Sequence, residues 1–238
     1  MIGALALCLA LAADLEDVDA RLKEATALAA RQEHAAAADA YRALLAAGVD
    51  GRDLRYNLGT LSLELEELGD AVLHLRAARR FDPLDDDVRH NLAVALSRRT
   101  DRLVGEGAAT LTLGERLPPT TARLVFAVPL LLLGAALAAR GAWPRRSLGI
   151  TVVVLSLLSA GGGALWLVRR AFEGTREAVV RVESTAAKKE PAESAATAFE
   201  AHAGLLGRVV DEEGRFVRVR LDNGLETWLA RDALGLLP

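Results

Sequence analysis

The chain has 238 residues, of which 52% are hydrophobic and only 4% are aromatic, and its formal net charge is −3. This composition is typical of helices rich in Ala, Leu and Val, and the length allows one large domain or two small ones. A slightly acidic chain excludes the strongly basic surface of a nucleic-acid-binding protein.

The charges are divided among three regions of the chain. Residues 1–120 carry 14 Lys/Arg against 20 Asp/Glu, residues 121–170 carry six Arg and no acidic residue, and residues 171–238 carry nine basic against 12 acidic residues. Two acidic parts around an apolar centre bordered by arginines are typical of a membrane protein with two exposed domains. We therefore predict a multi-domain membrane protein.

Residues 1–13 form an apolar segment that is followed abruptly by acidic residues. The segment is too short to span a bilayer of about 30 Å, but it has the length of a secretory signal peptide, and residues 10–12 offer a small-x-small cleavage site. An N-terminal capping helix is the alternative interpretation. The single cysteine, Cys8, lies here, so the chain has no disulfide framework.

Residues 14–100 contain segments that repeat with a period of 34 residues, the spacing that separates the small residues Ala25, Gly59 and Ala93. Apolar residues stand at matching offsets around them, and a proline closes the second segment: Leu28, Leu58, Leu92, Leu96, Ala37, Ala71 and Pro83. This order of small and large residues is typical of the tetratricopeptide repeat, a pair of closely packed helices. We predict about two and a half repeats that stack into a small α-solenoid, an architecture that binds other proteins.

The repeat spacing and the local stop signals predict the individual helices. They are Leu15–Ala30, Glu33–Ala47, Asp53–Leu68, Ala71–Phe81 and, without a recognisable partner, Asp87–Arg99. Gly69-Asp70 is the expected turn inside the second pair, and Ser62 stands where the repeat favours a large residue. The acidic cluster at residues 82–87 lacks the spacing of an EF-hand loop, so we predict turn formation and helix capping there instead of metal binding.

Residues 101–122 are predicted to form a juxtamembrane linker, and apolar segments follow at 123–140 and 147–168. Each apolar segment has arginine at both borders, no charge between them, and a length close to that of a membrane-spanning helix. We predict two transmembrane helices that form a hairpin.

The orientation of this hairpin depends on its arginines. The connector, residues 140–146, carries three of them and favours the cytoplasm, whereas Arg169, Arg170, Arg176 and Arg181 after the second segment argue the other way. The predicted signal peptide favours the orientation with the connector in the cytoplasm. Both soluble parts are then expected outside the cytoplasmic membrane.

Residues 175–238 have the pattern of short strands and a small β-barrel. The expected strands are Ala178–Val182, Leu205–Val210, Arg215–Leu221 and Leu225–Leu229. Asp222-Asn223-Gly224 predicts a tight turn between the last two. The charged residues between 183 and 193 are expected to form a solvated loop.

The order of these modules resembles the BatE-type proteins of bacterial aerotolerance operons. Tyr56-Asn57-Leu58-Gly59 and residues 81–93 resemble the repeats of that family, and residues 214–219 and 224–229 resemble its bacterial SH3-like domain. The resemblance implies an SH3-like core that includes Phe216, Val219 and Trp228. It also implies a complex with von Willebrand A domain membrane proteins and a MoxR-type ATPase system, in which the chain is a scaffold for stress tolerance.

The candidate partner-binding residues are found in the repeats. Asn57 and Asn91 occupy the same phase one repeat apart, where an asparagine amide can pair with a ligand's backbone. The full set of candidates is Lys23, Tyr56, Asn57, His90, Asn91 and Arg98. The alternative is that the two asparagines serve helix starts or contacts between repeats.

The sequence contains no recognisable catalytic, cofactor or metal constellation, since the four histidines are scattered and no glycine-rich phosphate loop follows a strand. We therefore predict a membrane-anchored protein–protein interaction scaffold or adaptor rather than an enzyme. The alternative function is a cell-wall or glycan-binding protein that binds peptidoglycan through the C-terminal domain.

Overall fold

The computed structural model describes residues 17–101, 119–142, 146–173 and 176–237. Helices occupy the first three ranges: α1 at 17–30, α2 at His34–Ala46, α3 at Arg52–Glu64, α4 at Leu68–Phe81, α5 at Asp86–Ser97, α6 at Pro119–Ala142 and α7 at Arg146–Glu173. A β-sheet occupies the last range. The coarse prediction of a helical part and a sheet part is confirmed, whereas the predicted signal peptide and most of the predicted linker lie outside the described residues.

Helices α3 and α4 pack closely because Gly59 has no side chain. A Cβ at Gly59 would lie 2.7 Å from Cγ of Leu75 on α4, a separation that real Cβ atoms do not adopt. Ala25, Ala37 and Ala71 are also buried at their small positions, whereas Ala93 is exposed. The exposed face of α5 is mostly polar, as expected of a helix at the end of a stack.

The turn between α3 and α4 differs from the prediction. The chain turns at residues 65–67, where Glu66 adopts a left-handed φ of 60°, and Gly69 and Asp70 already belong to α4. The prediction was wrong because Gly-Asp is a general turn signal, whereas this Gly69 is required for a close tertiary contact described below.

Asp85 has the predicted capping role, since its Oδ1 accepts a hydrogen bond from the backbone N–H of Val88 at 2.9 Å.

Seven strands form one antiparallel sheet with the order β3-β2-β6-β5-β4-β1-β7. The strands are β1 Glu177–Val180, β2 Ser184–Lys188, β3 Thr197–His202, β4 Leu206–Glu213, β5 Phe216–Leu221, β6 Glu226–Ala230 and β7 Leu234–Leu237, with a short 3-10 helix at Arg231–Ala233. The expected hairpin around residues 222–224 is present between β5 and β6. The core of the sheet includes Val217, Val219, Leu221 and Leu229.

Sequence reasoning missed β2, β3 and β7. Strand β2 lies within the segment that was expected to be a solvated loop, and it pairs with β3 along its length but with β6 only at Lys188 and Trp228. Most of its residues, Ser-Thr-Ala-Ala-Lys, are exposed or half-buried. Because they show no alternation of apolar and polar residues, the sequence gives no signal for a strand here. Strand β7 is apolar throughout and so lacks the alternation as well.

The helices of the first range and the sheet share one hydrophobic core, which was not predicted. Its buried residues come from α3, α4 and α5 and from β1, β4 and β7: Leu63, Ala71, Val72, Leu73, Leu75, Ala77, Leu92, Ala95, Val179, Leu206 and Leu237. We call the contact surface between α4 and strands β1 and β7, with the chain segments next to them, the junction. Glycines allow this contact, since a Cβ at Gly69 would lie 2.5 Å from Cα of Arg181, and one at Gly235 would lie 2.5 Å from Leu73.

Ion pairs surround the apolar part of the junction. Arg76 donates two hydrogen bonds of 2.9 Å to the carboxylate of Glu177, and Arg80 lies 3.6 Å from the same group. Arg181 donates to both carboxylate oxygens of Asp70. Burial alone would raise the pKa of Glu177, but the hydrogen bonds and charges of these arginines outweigh it and lower that pKa.

A third polar contact ties the end of the first range to the sheet. Asp101 accepts hydrogen bonds from the backbone N–H of His202 at 2.7 Å and from its ring Nδ1 at 3.0 Å. This carboxylate therefore occupies the outer edge of β3, where the backbone would otherwise be open to another strand.

Helices α6 and α7 pack against each other in an antiparallel arrangement. A Cβ at Gly162 would lie 2.5 Å from the backbone oxygen of Val125, and the rings of Phe126 and Trp166 stack with centroids 5.8 Å apart. Among the described residues, one helical span is long and apolar enough to cross a membrane: Gly149–Leu167, with 19 residues and a mean hydropathy of 2.0. The apolar part of α6, Arg123–Ala139, is shorter.

Replacing Gly69 with alanine is expected to weaken the junction, because the new methyl group must displace the backbone around Arg181. Overpacking of this kind costs about 1–3 kcal/mol. Thermal unfolding of the full chain in detergent measures it. The control is Gly51→Ala, since a Cβ at Gly51 meets nothing within 4 Å, and equal midpoints for the two variants would contradict the predicted close contact.

Candidate interaction surface of the helical repeats

The six candidate partner-binding residues lie on or next to α1, α3 and α5, the odd-numbered helices of the first range. Lys23, His90 and Arg98 are exposed, whereas Tyr56, Asn57 and Asn91 are half-buried. The 34-residue period therefore places equivalent positions on equivalent helices.

Both asparagines make hydrogen bonds between successive repeats. The amide Nδ2 of Asn57 donates to the hydroxyl of Tyr41 at 3.0 Å, and Nδ2 of Asn91 donates to the hydroxyl of Thr60 at 3.0 Å. Asn91 also lies 3.4 Å from the hydroxyl of Tyr56. These bonds are the contacts between repeats that the alternative interpretation of the asparagines describes.

Because of these bonds, the two amides differ in the hydrogen-bonding groups that remain for a partner. An asparagine amide has two N–H donors and one carbonyl acceptor. Asn57 uses one donor and keeps one donor and the carbonyl, whereas Asn91 directs Nδ2 at two hydroxyl groups and keeps the carbonyl, as far as the described residues show. Asn57 is therefore the residue of the pair that can still bind both an N–H and a C=O of a peptide backbone.

Three of the four remaining candidates make contacts of their own within the chain. Lys23 forms an ion pair of 2.6 Å with Asp19 one turn away, and the guanidinium of Arg98 donates to the backbone oxygen of Leu63 at 3.4 Å. The ring of Tyr56 lies 6.0 Å from the guanidinium carbon of Arg52, within range of a cation–π contact. His90 is exposed on α5.

The sequence analysis missed a charged cluster that joins α3 to α4. Arg55 of α3 forms a bidentate ion pair with Asp50, at 2.8 and 2.9 Å, and also reaches His74 of α4 at 3.1 Å. The hydrogen bonds from Arg55 are the main cause of a lowered pKa for Asp50. These residues belong to no repeat motif, so only their spatial proximity shows the cluster.

The sheet offers a less accessible candidate surface. Phe216, Val219 and Trp228 are all buried, and Trp228 is only 9% exposed, with its ring 5.5 Å from the guanidinium carbon of Arg218. The hydroxyl of Thr227 donates to the backbone oxygen of Lys188 at 3.0 Å and so joins β6 to β2. Trp228 has little ring surface left for stacking on a ligand.

No cluster of three or more His, Cys, Asp or Glu side chains suited to a metal ion occurs in the parts of the chain that the structure describes. The acidic residues at 82–87 are used locally instead. Asp82 accepts from the backbone N–H of Leu84 at 3.1 Å, and Asp86 pairs with Arg89 at 2.7 Å.

No protein-family model matches the chain, and no curated protein matches it. The described residues form a stack of helices that is joined to an antiparallel sheet through one hydrophobic core. A pair of apolar helices lies between the stack and the sheet in the sequence.

The bond between Asn57 and Tyr41 is expected to stabilise the stack by about 0.5–1.5 kcal/mol, the usual net value of such a hydrogen bond. A double-mutant cycle with Asn57→Ala and Tyr41→Phe, followed by chemical unfolding, isolates that value from the bond between Tyr41 and Thr26. Strictly additive effects of the two substitutions would show that the bond contributes nothing.

Proposed function

We propose that the chain is a scaffold anchored in the bacterial cytoplasmic membrane that holds protein partners through its helical repeats. In this proposal α1–α5 are an α-solenoid of about two and a half tetratricopeptide repeats, α6 and α7 are a transmembrane hairpin, and the sheet is an SH3-like barrel. The observation that carries the proposal is the junction, which joins the repeats to the sheet although α6 and α7 separate them in the sequence.

The junction constrains how the chain crosses a membrane. If α7 alone crossed, the repeats and the sheet would lie on opposite sides of the bilayer and could not share a core. Helices α6 and α7 must therefore cross together or not at all. This argument supports the shorter apolar helix α6 as a second span, a conclusion that its hydropathy alone does not support.

The dimensions and surfaces of the two helices support a lipid environment. Helix α7 has 28 residues, so at 1.5 Å per residue it exceeds the hydrocarbon thickness of about 30 Å. Helix α6 has 24 residues, but its apolar part, Arg123–Ala139, is slightly shorter than that thickness. Only 11% of the apolar window of α7 is buried, and Leu131 and Leu157 are 74% and 69% exposed. An apolar surface of this extent is unfavourable in water and favourable in lipid.

The ion pairs of the sheet support a periplasmic location for the soluble parts. The arginines after α7 argued against it, but Arg176 pairs with Glu212, and Arg181 pairs with Asp70. Both therefore belong to the folded body. Arg169 and Arg170, near the end of α7, still oppose this location, whereas the three arginines of the connector between α6 and α7 favour it.

The proposed partners are von Willebrand A domain membrane proteins, and through them a MoxR-type ATPase system, as the resemblance to BatE-type proteins implies. The exposed candidates on or next to α1 and α5, Lys23, His90 and Arg98, and the remaining hydrogen-bonding groups of Asn57 support binding at the repeats. Binding of peptidoglycan through the sheet has less support, because that alternative depended on Trp228, which is buried.

The topology has a direct test with single cysteines in a Cys8→Ser background. Ala36→Cys on α2 and Glu190→Cys after β2 are both exposed positions, and both are expected to react with a membrane-impermeant maleimide from the periplasmic side. Gly141→Cys, next to the connector, is expected to react only after permeabilisation. Labelling of Ala36→Cys and Glu190→Cys from opposite sides would contradict the proposed topology.

The scaffold function is tested by crosslinking the tagged full-length protein in membranes and identifying the bound proteins by mass spectrometry. We expect von Willebrand A domain membrane proteins, and we expect Asn57→Ala with Asn91→Ala to abolish their recovery. The matched control is Tyr41→Phe with Thr60→Val, which removes the two 3.0 Å bonds between repeats and leaves both amides and the 3.4 Å contact of Asn91 with Tyr56 in place.

Three results of this experiment are informative. Loss of the partners in the asparagine variant alone supports direct binding by the amides. Equal loss in both variants assigns the asparagines a role within the stack only. Recovery of cell-wall fragments in place of membrane proteins, regardless of variant, would contradict the scaffold proposal and favour the wall-binding alternative.

A further inference from the structure

His74 is a buried histidine on α4 that faces a cluster of charges at the edge of the junction. Its side chain is 6% exposed, and its Nδ1 lies 3.1 Å from Nη1 of Arg55. A guanidinium group only donates hydrogen bonds, so Nδ1 of His74 must accept this one. The ring is therefore neutral in this arrangement, with its proton on Nε2.

The charges around His74 come from every element that packs near it. Cations are supplied by Arg55 of α3, Arg42 of α2 and Arg181 of the segment after β1, and the nearest opposite charge is Asp70, one turn earlier on α4. Asp70 is already engaged, since its Oδ2 accepts from Nη2 of Arg181 at 2.9 Å and lies 3.6 Å from Arg42.

The other carboxylates near His74 are engaged as well. Asp50 holds Arg55 in a bidentate pair, and Glu67 pairs with Arg42. A proton added to Nδ1 of His74 would therefore break the bond from Arg55, place two cations in contact, and add a positive charge to the electrostatic surroundings of the pair between Asp70 and Arg181. The bond between Asp70 and Arg181 is one of the ion pairs that hold α4 to the sheet.

Burial and, after it, the charge of Arg55 lower the pKa of His74 from 6.5 to about 4. A histidine whose pKa is lower in the closed state than in the open state binds more protons when the structure opens. The stability of the closed state therefore falls as the pH decreases from about 6.5 to about 4 and is constant above that window.

We propose that His74 makes the junction acid-sensitive, so that protonation of its imidazole releases the contact between α4 and the sheet. The proposal does not depend on the scaffold function or on the identity of any partner. A periplasmic location would expose this histidine to the pH of the medium.

Deuterium uptake by the full chain in detergent, at about pH 7 and about pH 5 and corrected for intrinsic exchange, tests the proposal. The two pKa values predict that opening becomes about twenty-fold more frequent at the lower pH, with faster exchange in β1, β7 and α4. The pKa values of Asp70 and Glu177 are lowered, so both carboxylates remain ionised at about pH 5, and their own protonation does not cause the response.

Three variants decide whether His74 is the cause. His74→Asn keeps an acceptor near the position of Nδ1 but cannot gain a proton, so its exchange in the junction is expected to be independent of pH. His202→Gln removes the histidine of β3 that pairs with Asp101 and is expected to keep the full response. Arg55→Gln removes the nearest cation and is expected to reduce the response, because His74 is then protonated at a smaller cost.

Several outcomes would overturn the proposal. They are unchanged exchange in the natural chain between the two pH values, a response that persists in His74→Asn, or one that disappears in His202→Gln. If His74→Asn fails to fold, the Arg55→Gln variant still decides, since an unchanged response there would show that the cation next to His74 has no role.

Discussion

The burial of α4 on two sides is the constraint on which the rest of the described structure depends. One side of this helix packs on α3 and α5, and the other packs on β1 and β7, so that a single core spans the repeats and the sheet. The contact requires backbone approach at Gly69 and Gly235, where no Cβ fits. Neither part is complete alone, because each covers apolar surface of the other.

The ion pairs around this core fix the orientation of the sheet on α4. Buried ion pairs add little net stability, but they are unfavourable when misaligned and therefore select one arrangement. Glu177, held by Arg76 and Arg80, lies four residues after the end of α7. The pair that orients the sheet on α4 thus also ties the repeats to the end of α7. In the proposed scaffold, a partner bound to the repeats would be held in a defined position relative to the bilayer.

Much of the helical part could be predicted from spacing. The small position at Gly59 does allow close packing of α3 on α4, and the alternation of β5 and the turn at 222–224 gave a correct hairpin. The predicted turn at Gly69-Asp70 was wrong, since a glycine that allows a close tertiary contact cannot be distinguished by its sequence context from a glycine in a turn. The equal phase of Asn57 and Asn91 was visible in the sequence, whereas their bonds to Tyr41 and Thr60 depend on how the repeats stack.

The sequence by itself determined the features that arise from local periodicity: the repeat helices, the apolar segments of α6 and α7, and the strands with alternating burial. Periodicity encodes which face of an element is apolar, but it does not encode what covers that face. The junction was decided by tertiary structure alone, because its contacts join residues more than 100 positions apart, such as Arg76 with Glu177 and Asp70 with Arg181. For the same physical reason, the charges that keep His74 neutral become visible only when four segments of the chain meet.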